Sequence, residues 1–349
     1  MVRLLILGTG GMARNHAEAF KAIDGVALVA GIDTRADQLA LFCQTHGIAQ
    51  GFASVDEAIA WGGFDAVTNV TPDAAHHATT MPFLAAGKHV LCEKPLATNT
   101  ADAEAMAVAA AKAGVVNMVN LSYRNVAALQ KAAAMVRAGA IGTLRHFEAS
   151  YLQSWLTQPA WGHWDREIQW LWRLSTAHGS KGVLGDVGIH ILDFATFIAG
   201  QEVAEVSCRL ATFDKAPGGR IGGYTLDAND SATLQVVMAN GALGTVAATR
   251  FASGHLNDLR LRIYGDKGGL EVGWERNVSR LRACLEPDLQ TAQWQDVDAP
   301  VLPTIYERFI AAIRGTGVAE PDFARGAALQ RLLDRAEQSA ARKGVSLAV

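Results

Sequence analysis

The stretch Gly8-Thr9-Gly10-Gly11-Met12-Ala13, set directly behind the apolar run Leu4-Leu5-Ile6-Leu7, constrains the fold more than any other segment. A buried strand, a glycine-rich turn and then apolar residues at helical spacing (Ala13, Ala17, Phe20, Ile23) make a strand–turn–helix unit. Small residues at Gly8, Gly10 and Gly11, with Met12 closing the turn, let the backbone approach a pyrophosphate. The following helix offers N–H groups and the positive end of its dipole. Taken alone, the pattern also describes a turn with no ligand. A second signal decides: Ala27 to Ile32 reads as the next strand and ends on Asp33. An acid about twenty residues past the loop accepts the ribose hydroxyls of a dinucleotide. Its charge repels a 2′-phosphate and so favours NAD over NADP. Arg35 can reach such a phosphate or stack on adenine, which leaves NADP open.

Strands and helices then alternate with short links as far as Leu121. That pattern predicts a parallel sheet with helices on both faces. Ligands bind beyond the carboxyl ends of such strands, which collects Thr71-Pro72, Glu93-Lys94-Pro95 and Asn120 to Arg124 beside the glycine loop and Asp33. An ammonium at that rim, Lys94, can stabilise a developing alkoxide. Glu93 and Lys94 also fit a solvated pair at a strand end. His76-His77 reads as a helix-face pair, with His76 drawn toward the rim by its place after Thr71-Pro72.

From about Ser122 the pattern changes. Leu144 to Leu152, Val203 to Ala211, Ser231 to Met238 and Leu243 to Phe251 read as strands, joined in part by the Asn240-Gly241 turn, and Leu259 to Tyr264 and Gly269 to Val272 flank Gly265-Asp266-Lys267-Gly268. Successive strands without helices between them predict an antiparallel sheet. Helices would cover one face, and a second subunit is the simplest cover for the other. Leu329 to Arg342 reads as an amphipathic helix. An insert after the first of these strands holds five of the eight tryptophans (Trp155, Trp161, Trp164, Trp170, Trp172), interleaved with polar groups that include Arg173. Indoles pack on the C–H faces of sugars. Most of these are expected in a core or subunit interface, with one or two lining a pocket.

Behind the insert comes Gly185-Asp186-Val187-Gly188-Ile189-His190, with Asp193 further on. On a helix, Asp186 and His190 share one face, and the glycines leave that face open to a ligand. An imidazole beside a carboxylate can move a proton at neutral pH. In isolation the pair also fits a helix surface.

Composition narrows the classes. In 349 residues, room for two domains, 31 basic residues stand against 34 acidic ones, so no basic excess points to nucleic acid. The apolar runs are strand-sized, too short to span a membrane. Cys43, Cys92, Cys208 and Cys284 lie far apart, with no metal-ligand spacing and no evident disulfide frame. With no charged leader or cleavage site before the first strand, the cytoplasm is expected.

Together, the Gly8–Ala13 loop, Thr71-Pro72 with His76, Glu93-Lys94-Pro95, Tyr123-Arg124 and Gly185–His190 resemble the Gfo/Idh/MocA oxidoreductases, and the likeness runs over nearly the whole chain. The resemblance implies an α/β Rossmann domain (1–121) with a parallel doubly wound sheet. An α+β domain for substrate binding and oligomerisation (122–349), with an open-faced, mainly antiparallel sheet, would follow and build a homodimer or homotetramer. It implies a catalytic set of lysine, aspartate and histidine, which maps onto Lys94, Asp186 and His190. Gly8, Gly10, Gly11, Met12, Asp33, Arg35, Thr71, Pro72, His76, Glu93 and Lys94 would face the cofactor. Tyr123, Arg124, Trp164 and Arg173 would join the catalytic set around a sugar or polyol. The implied activity is NAD(P)-dependent hydride transfer at a secondary alcohol. Two alternatives on the same fold are an NAD-dependent glycosidase and a non-catalytic sensor. Asp73 and Asn125-Val126-Ala127 depart from the family pattern, which more often has Asn at the first position and proline after Tyr-Arg. With no arm ahead of Met1, a periplasmic sugar–sugar oxidoreductase is less expected.

Overall fold

The computed structural model describes residues 1–159 and 161–349. The chain divides into two units, Met1–Ser122 with Pro303–Gln330, and Tyr123–Leu302 with Arg331–Val349. The expected single boundary at 121/122 is therefore corrected, because the chain returns to its first unit at Pro303 and leaves it after Gln330.

In the first unit, strands β1 (Val2–Leu7), β2 (Val26–Ile32), β3 (Gln50–Phe52), β4 (Ala66–Asn69), β5 (His89–Cys92) and β6 (Asn117–Val119) form one sheet in the order β3-β2-β1-β4-β5-β6. Every pairing is parallel. β1 and β4 are buried along nearly their whole length, the apolar run that a strand covered on both faces requires. Helices α1 (Gly11–Lys21), α2 (Ala36–His46), α3 (Val55–Trp61), α4 (His76–Ala85) and α5 (Thr100–Ala113) make the links. Local chemistry sets their ends. Ser54 accepts from the Glu57 N–H and Asn99 from the Asp102 N–H, while Gly47, Gly62 and Gly114 close helices in the left-handed conformation. Strand order reverses between β1 and β4, the crevice where doubly wound sheets hold ligands.

In the second unit, α6 (Ala127–Arg137), β7 (Leu144–Leu152), a short α7 (Ile168–Leu171) and α8 (Ile189–Ala199) precede β8 (Val203–Ala211). A small hairpin, β9 (Arg220–Ile221) and β10 (Tyr224–Thr225), is followed by β11 (Ser231–Met238), β12 (Leu243–Thr249), β13 (Asp258–Gly265), β14 (Gly268–Glu275), β15 (Val278–Leu285), β16 (Gln295–Asp296) and β17 (Leu347–Ala348). Nine of these strands form a sheet ordered β16-β15-β14-β13-β7-β12-β11-β8-β17. It is antiparallel except where β12 pairs with β7. Burial alternates along β11 and β12, as for a half-covered sheet. Helix α6 packs against β14 and β15, and α8 against β7, β12 and β13.

The polar positions of these strands carry charge. Arg262 stands directly opposite Glu148 and Glu271, and Glu271 opposite Arg282. The resulting ion pairs measure 3.5 Å (Arg262–Glu148), 3.4 Å (Arg262–Glu271) and 3.1 Å (Arg282–Glu271).

The returning segment begins with α9 (Ile305–Ile313), whose Thr304 and Glu307 form a reciprocal cap. Ile305, Phe309 and Ile310 enter the buried cluster of Leu4, Ile6, Ala17 and Phe20. Helix α10 (Phe323–Ala341) then leads to the C-terminal strand. No helix among the described residues is long and apolar enough to cross a membrane.

Candidate active site

The glycine loop between β1 and α1 is a close turn. Gly8 has φ +85°, and a Cβ there would meet Val70 O and Thr71 N at 3.0 Å, so only glycine lets β1 run this close to the turn after β4. Nothing lies within 4 Å of a Cβ placed on Gly10 or Gly11, which leaves a cradle open to a phosphate. Gly10 caps α1 without a side-chain acceptor, so the first N–H groups of the helix stay available to an anion. Met12 is 47% exposed at that helix start.

Asp33 lies at the end of β2, and its carboxylate accepts from Thr9 N (2.9 Å), Thr9 Oγ1 (2.7 Å), Arg35 N (3.0 Å) and Arg35 Nε (3.3 Å). Burial works against its charge, but these bonds outweigh burial and bring the carboxyl down to about 2. The Arg35 guanidinium is thus drawn to Asp33.

The turn after β4 hangs on a residue the sequence did not single out. The Asn69 side chain is fully buried, accepts from Thr71 N (3.1 Å) and Thr71 Oγ1 (2.7 Å), and donates to Thr79 and Thr80 (both 2.9 Å). It fixes Thr71-Pro72 at the rim. His76, expected to face the cofactor, is redirected. It is fully buried, with Nδ1 2.7 Å from Pro95 O and Nε2 2.9 Å from Thr71 O. Two carbonyl acceptors need two N–H donors, so the ring is an imidazolium bolting the Thr-Pro turn to the Glu-Lys-Pro turn. Burial opposes that charge, but Cys92, Asp73 and the Pro95 carbonyl overcome it and push the pKa up to about 10.

Glu93 is likewise an anchor. It binds His16 Nε2 (2.8 Å) and Asn120 Nδ2 (2.6 Å), and accepts from the Lys94 N–H (3.1 Å). His16, on α1, is fully buried and also lies 2.7 Å from Thr68 Oγ1. Despite burial, His16, Asn120 and Lys94 hold Glu93 at about 2. Lys94, partly exposed, follows directly on this anchor, and its bond to Pro95 is cis.

In the second unit, a π-helical turn spans Leu184–Gly188 and runs into α8. The expected α-helical i, i+4 face is corrected accordingly. The glycines serve the chain itself rather than a ligand: a Cβ on Gly185 would come within 2.3 Å of Lys181 Cβ, and one on Gly188 within 3.2 Å of Leu184 Cδ1. Inserted turns of this kind recur at functional sites.

Asp186 is held by two arginines. Arg173 Nη1 reaches both carboxylate oxygens (3.2 and 3.1 Å), and Arg250 Nη2 reaches Oδ2 (3.1 Å). His190 is 8% exposed and packs edge-on against Tyr123, with centroids 4.9 Å apart. Tyr123 and Tyr151 share a hydroxyl hydrogen bond of 2.5 Å, and Tyr151 donates to Asn257 Oδ1 at 2.8 Å. Burial pushes Tyr123 up to about 12, and burial with Tyr123 beside it raises Tyr151 well above its usual value, so both hydroxyls keep their protons. At the neighbouring ends of β13 and β14, His255, Asp258 and Glu275 bring ligand atoms within 4.8 Å of one another. Arg260 bonds Asp258 (2.9 Å) and lies 3.6 Å from Glu275, offsetting part of their charge.

Arg124, expected to touch substrate, is buried and engaged elsewhere. Its guanidinium makes a two-pronged bond to Asp193 (2.6 and 2.7 Å) and lies 3.6 Å from the Phe197 ring centre. Trp164 packs on the cluster of Trp155, Leu156, Leu171, Leu174 and Leu226, as do Trp161 and Trp170. Trp172 is the exception at 37% exposed, with the Arg173 guanidinium 4.7 Å from its ring centre.

A family model described as the oxidoreductase family, NAD-binding Rossmann fold, matches residues 2–121. A second, the GFO/IDH/MocA C-terminal domain, matches residues 129–271. Levoglucosan dehydrogenase of Pseudarthrobacter phenanthrenivorans is 31% identical over 220 residues, 59% of this chain and 54% of that protein. The chain thus aligns with little more than half of that relative. D-apiose dehydrogenase of Paraburkholderia graminis is 28% identical over 328 residues, 89% of this chain and 80% of that protein. A solved levoglucosan dehydrogenase in complex with NADH and L-sorbose matches with a TM-score of 0.86 at 25% identity, over 100% of this chain and 99% of that one. With the N-terminal and C-terminal family models both matched, the chain belongs to the GFO/IDH/MocA family of NAD-binding oxidoreductases.

Proposed function

We propose that this protein is a dehydrogenase of a neutral sugar, cyclitol or related polyol, using NAD in preference to NADP and acting on a secondary alcohol. The observation that carries the reading is the nearly buried His190 beside the tyrosine pair, four residues after a carboxylate gripped by two arginines. The relatives named for levoglucosan and apiose support the substrate class, and the charged Asp33 at the ribose position supports NAD.

Bound NAD supplies the hydride acceptor. Lys94 binds the reacting oxygen and stabilises its charge as the alcohol ionises. His190 takes the hydroxyl proton on an imidazole nitrogen. Asp186 accepts a hydrogen bond from a neighbouring hydroxyl and orients the ring, while Tyr123 walls His190 on one side. A homodimer or homotetramer built through the C-terminal sheet belongs to the same reading.

The test is a panel of sugars, inositols and sugar acids with NAD and with NADP, followed by nicotinamide reduction. His190→Ala is expected to lower turnover roughly 10²–10⁴-fold with NAD affinity within twofold of wild type. Wild-type turnover in that variant removes His190 as the base. Glycoside cleavage without net nicotinamide reduction overturns the dehydrogenase reading.

A further inference from the structure

Arg250 is the bulkiest of the fully buried side chains among the described residues. It stands one residue past β12 and has no exposed surface. Taking a guanidinium out of water costs several kcal/mol unless a well-placed anion and hydrogen-bond acceptors offset it. Its head is correspondingly fixed: Nη2 donates to Asp186 Oδ2 (3.1 Å), Nη1 donates to Arg173 O (3.1 Å), and the Trp155 ring centre lies 5.0 Å away. Its own N–H donates to Asp230 O (3.0 Å). Asp230 is buried too, and its carboxylate is matched by Lys215 at 2.5 Å. Asp186, by contrast, has a side chain 26% exposed. Arg173 grips the same carboxylate from a side chain 32% exposed.

We propose that Arg250 is a positioning residue that acts on substrate through Asp186, holding that carboxylate ionised and in one orientation as an acceptor for a substrate hydroxyl. The proposal rests on the reading of Asp186 as a substrate-binding group. It also deepens that reading. A carboxylate paired with two guanidinium groups is a poor proton acceptor, which leaves that role to His190. An acceptor fixed in this way selects a substrate that donates a hydrogen bond there, a hydroxyl rather than a carboxylate or phosphate oxygen. The fork matters as well as the charge, because Arg250 divides its two terminal nitrogens between Asp186 and the Arg173 carbonyl. An ammonium at this position keeps charge but not both bonds.

The experiment uses the 349-residue protein with myo-inositol and levoglucosan as probes. Five proteins are compared: wild type, Arg250→Lys, Asp186→Asn, the double variant, and Arg250→Met as the more severe form. Each is assayed for NAD affinity, kcat, KM and melting temperature. Arg250→Lys is expected to raise KM for the polyol at least tenfold with NAD affinity within twofold, and Arg250→Met to raise it further. In the Asp186→Asn background, Arg250→Lys is expected to add less than twofold to KM, because the group it positions is gone. A lowered melting temperature with unchanged KM in Arg250→Lys makes the arginine purely structural and overturns the proposal, as does a full, additive KM effect in the double variant. Wild type that reduces no nicotinamide with any polyol overturns the reading of the site, and this proposal with it. Arg250→Lys keeps the test open if Arg250→Met does not fold.

Discussion

Glu93 shows how much of this site lies behind the residue that would touch substrate. The carboxylate ahead of Lys94 is gripped by His16 and Asn120, and its folded pKa of about 2 is well below the roughly 4.3 of an unfolded glutamate. A depressed folded pKa stabilises the fold above the unfolded value, and that contribution is lost as pH falls through the folded one. For Glu93 the window is about pH 4 down to about 2, and the size is on the order of 3 kcal/mol. Glu93→Gln is therefore expected to be less stable than wild type at neutral pH and to converge with it in acid, as read by denaturant melts at a series of pH values. Parallel curves would show that His16 and Asn120 do not distinguish the charged form. Lys94 stood out in the sequence because strand-end position and residue type suffice to suggest its proposed chemistry. Its anchors did not. His16 looks like one more residue on a helix, and its bond to Glu93 crosses 77 positions. Arg250 escaped notice likewise, since an arginine near the end of the strand read over Leu243 to Phe251 passes for a solvated position. His76 and Arg124 were legible as important and wrongly aimed, because a motif marks a place and not a direction.

At the level of elements, periodicity served where one face meets water and failed where none does. Helix α8 is buried along nearly its whole length, so no polar stripe betrayed the π-helical turn that feeds it. The glycines at 185 and 188 were visible, but the contacts that require them, Lys181 and Leu184, appear only when the turn is built. In the second sheet, alternation located β7, β8, β11 and β12 but not the character of the polar face. Glu148, Arg262, Glu271 and Arg282 form a row of alternating sign across four strands, with side chains 27–51% exposed. Exposed pairs of this kind contribute about 0–1 kcal/mol each to a fold, too little to explain the row by stability alone. A partner meeting this face would meet charge, so an oligomer formed there should weaken with salt. Sedimentation at low ionic strength and near 1 M, where the screening length falls to about 3 Å, is expected to show a dimer or larger species shifting toward monomer. A monomer at both salt levels removes this face as the contact, and a salt-indifferent oligomer moves the interface to an apolar surface.

Across the whole chain, the first half was legible because each strand calls for its neighbour through a short helix, and strands consecutive in the chain pair with one another except at the single switch from β3 to β4, which crosses to the far side of β1. The return at Pro303 broke that logic. Helix α9 has the composition of any amphipathic helix, and the sequence does not mark that its apolar side belongs with residues some three hundred positions earlier. The physical consequence is large. Ile305, Phe309, Ile310, Phe323 and Leu329 are all at most 1% exposed. Val119 N donates to Pro321 O (2.9 Å) and Phe323 N to Asn117 Oδ1 (2.8 Å). A Cβ on Gly326 would lie 2.8 Å from Val119 and 2.9 Å from Leu96, so α10 starts tight against β6. Burying five such side chains stabilises by roughly 10 kcal/mol at 1.5–3 kcal/mol each, as much as the whole margin of an ordinary domain. A fragment of residues 1–122 is therefore expected to lack a cooperative melt and to bind NAD weakly or not at all, although it holds the glycine loop, Asp33 and Lys94. The same fragment joined through a flexible Gly/Ser linker to residues 303–330 is expected to regain a cooperative melt and NAD binding, read by near-UV circular dichroism and calorimetry. If residues 1–122 alone melt as cooperatively and bind NAD as tightly as the joined form, the returning segment is an accessory to the first unit, and its apolar side chains add to a core already complete without them.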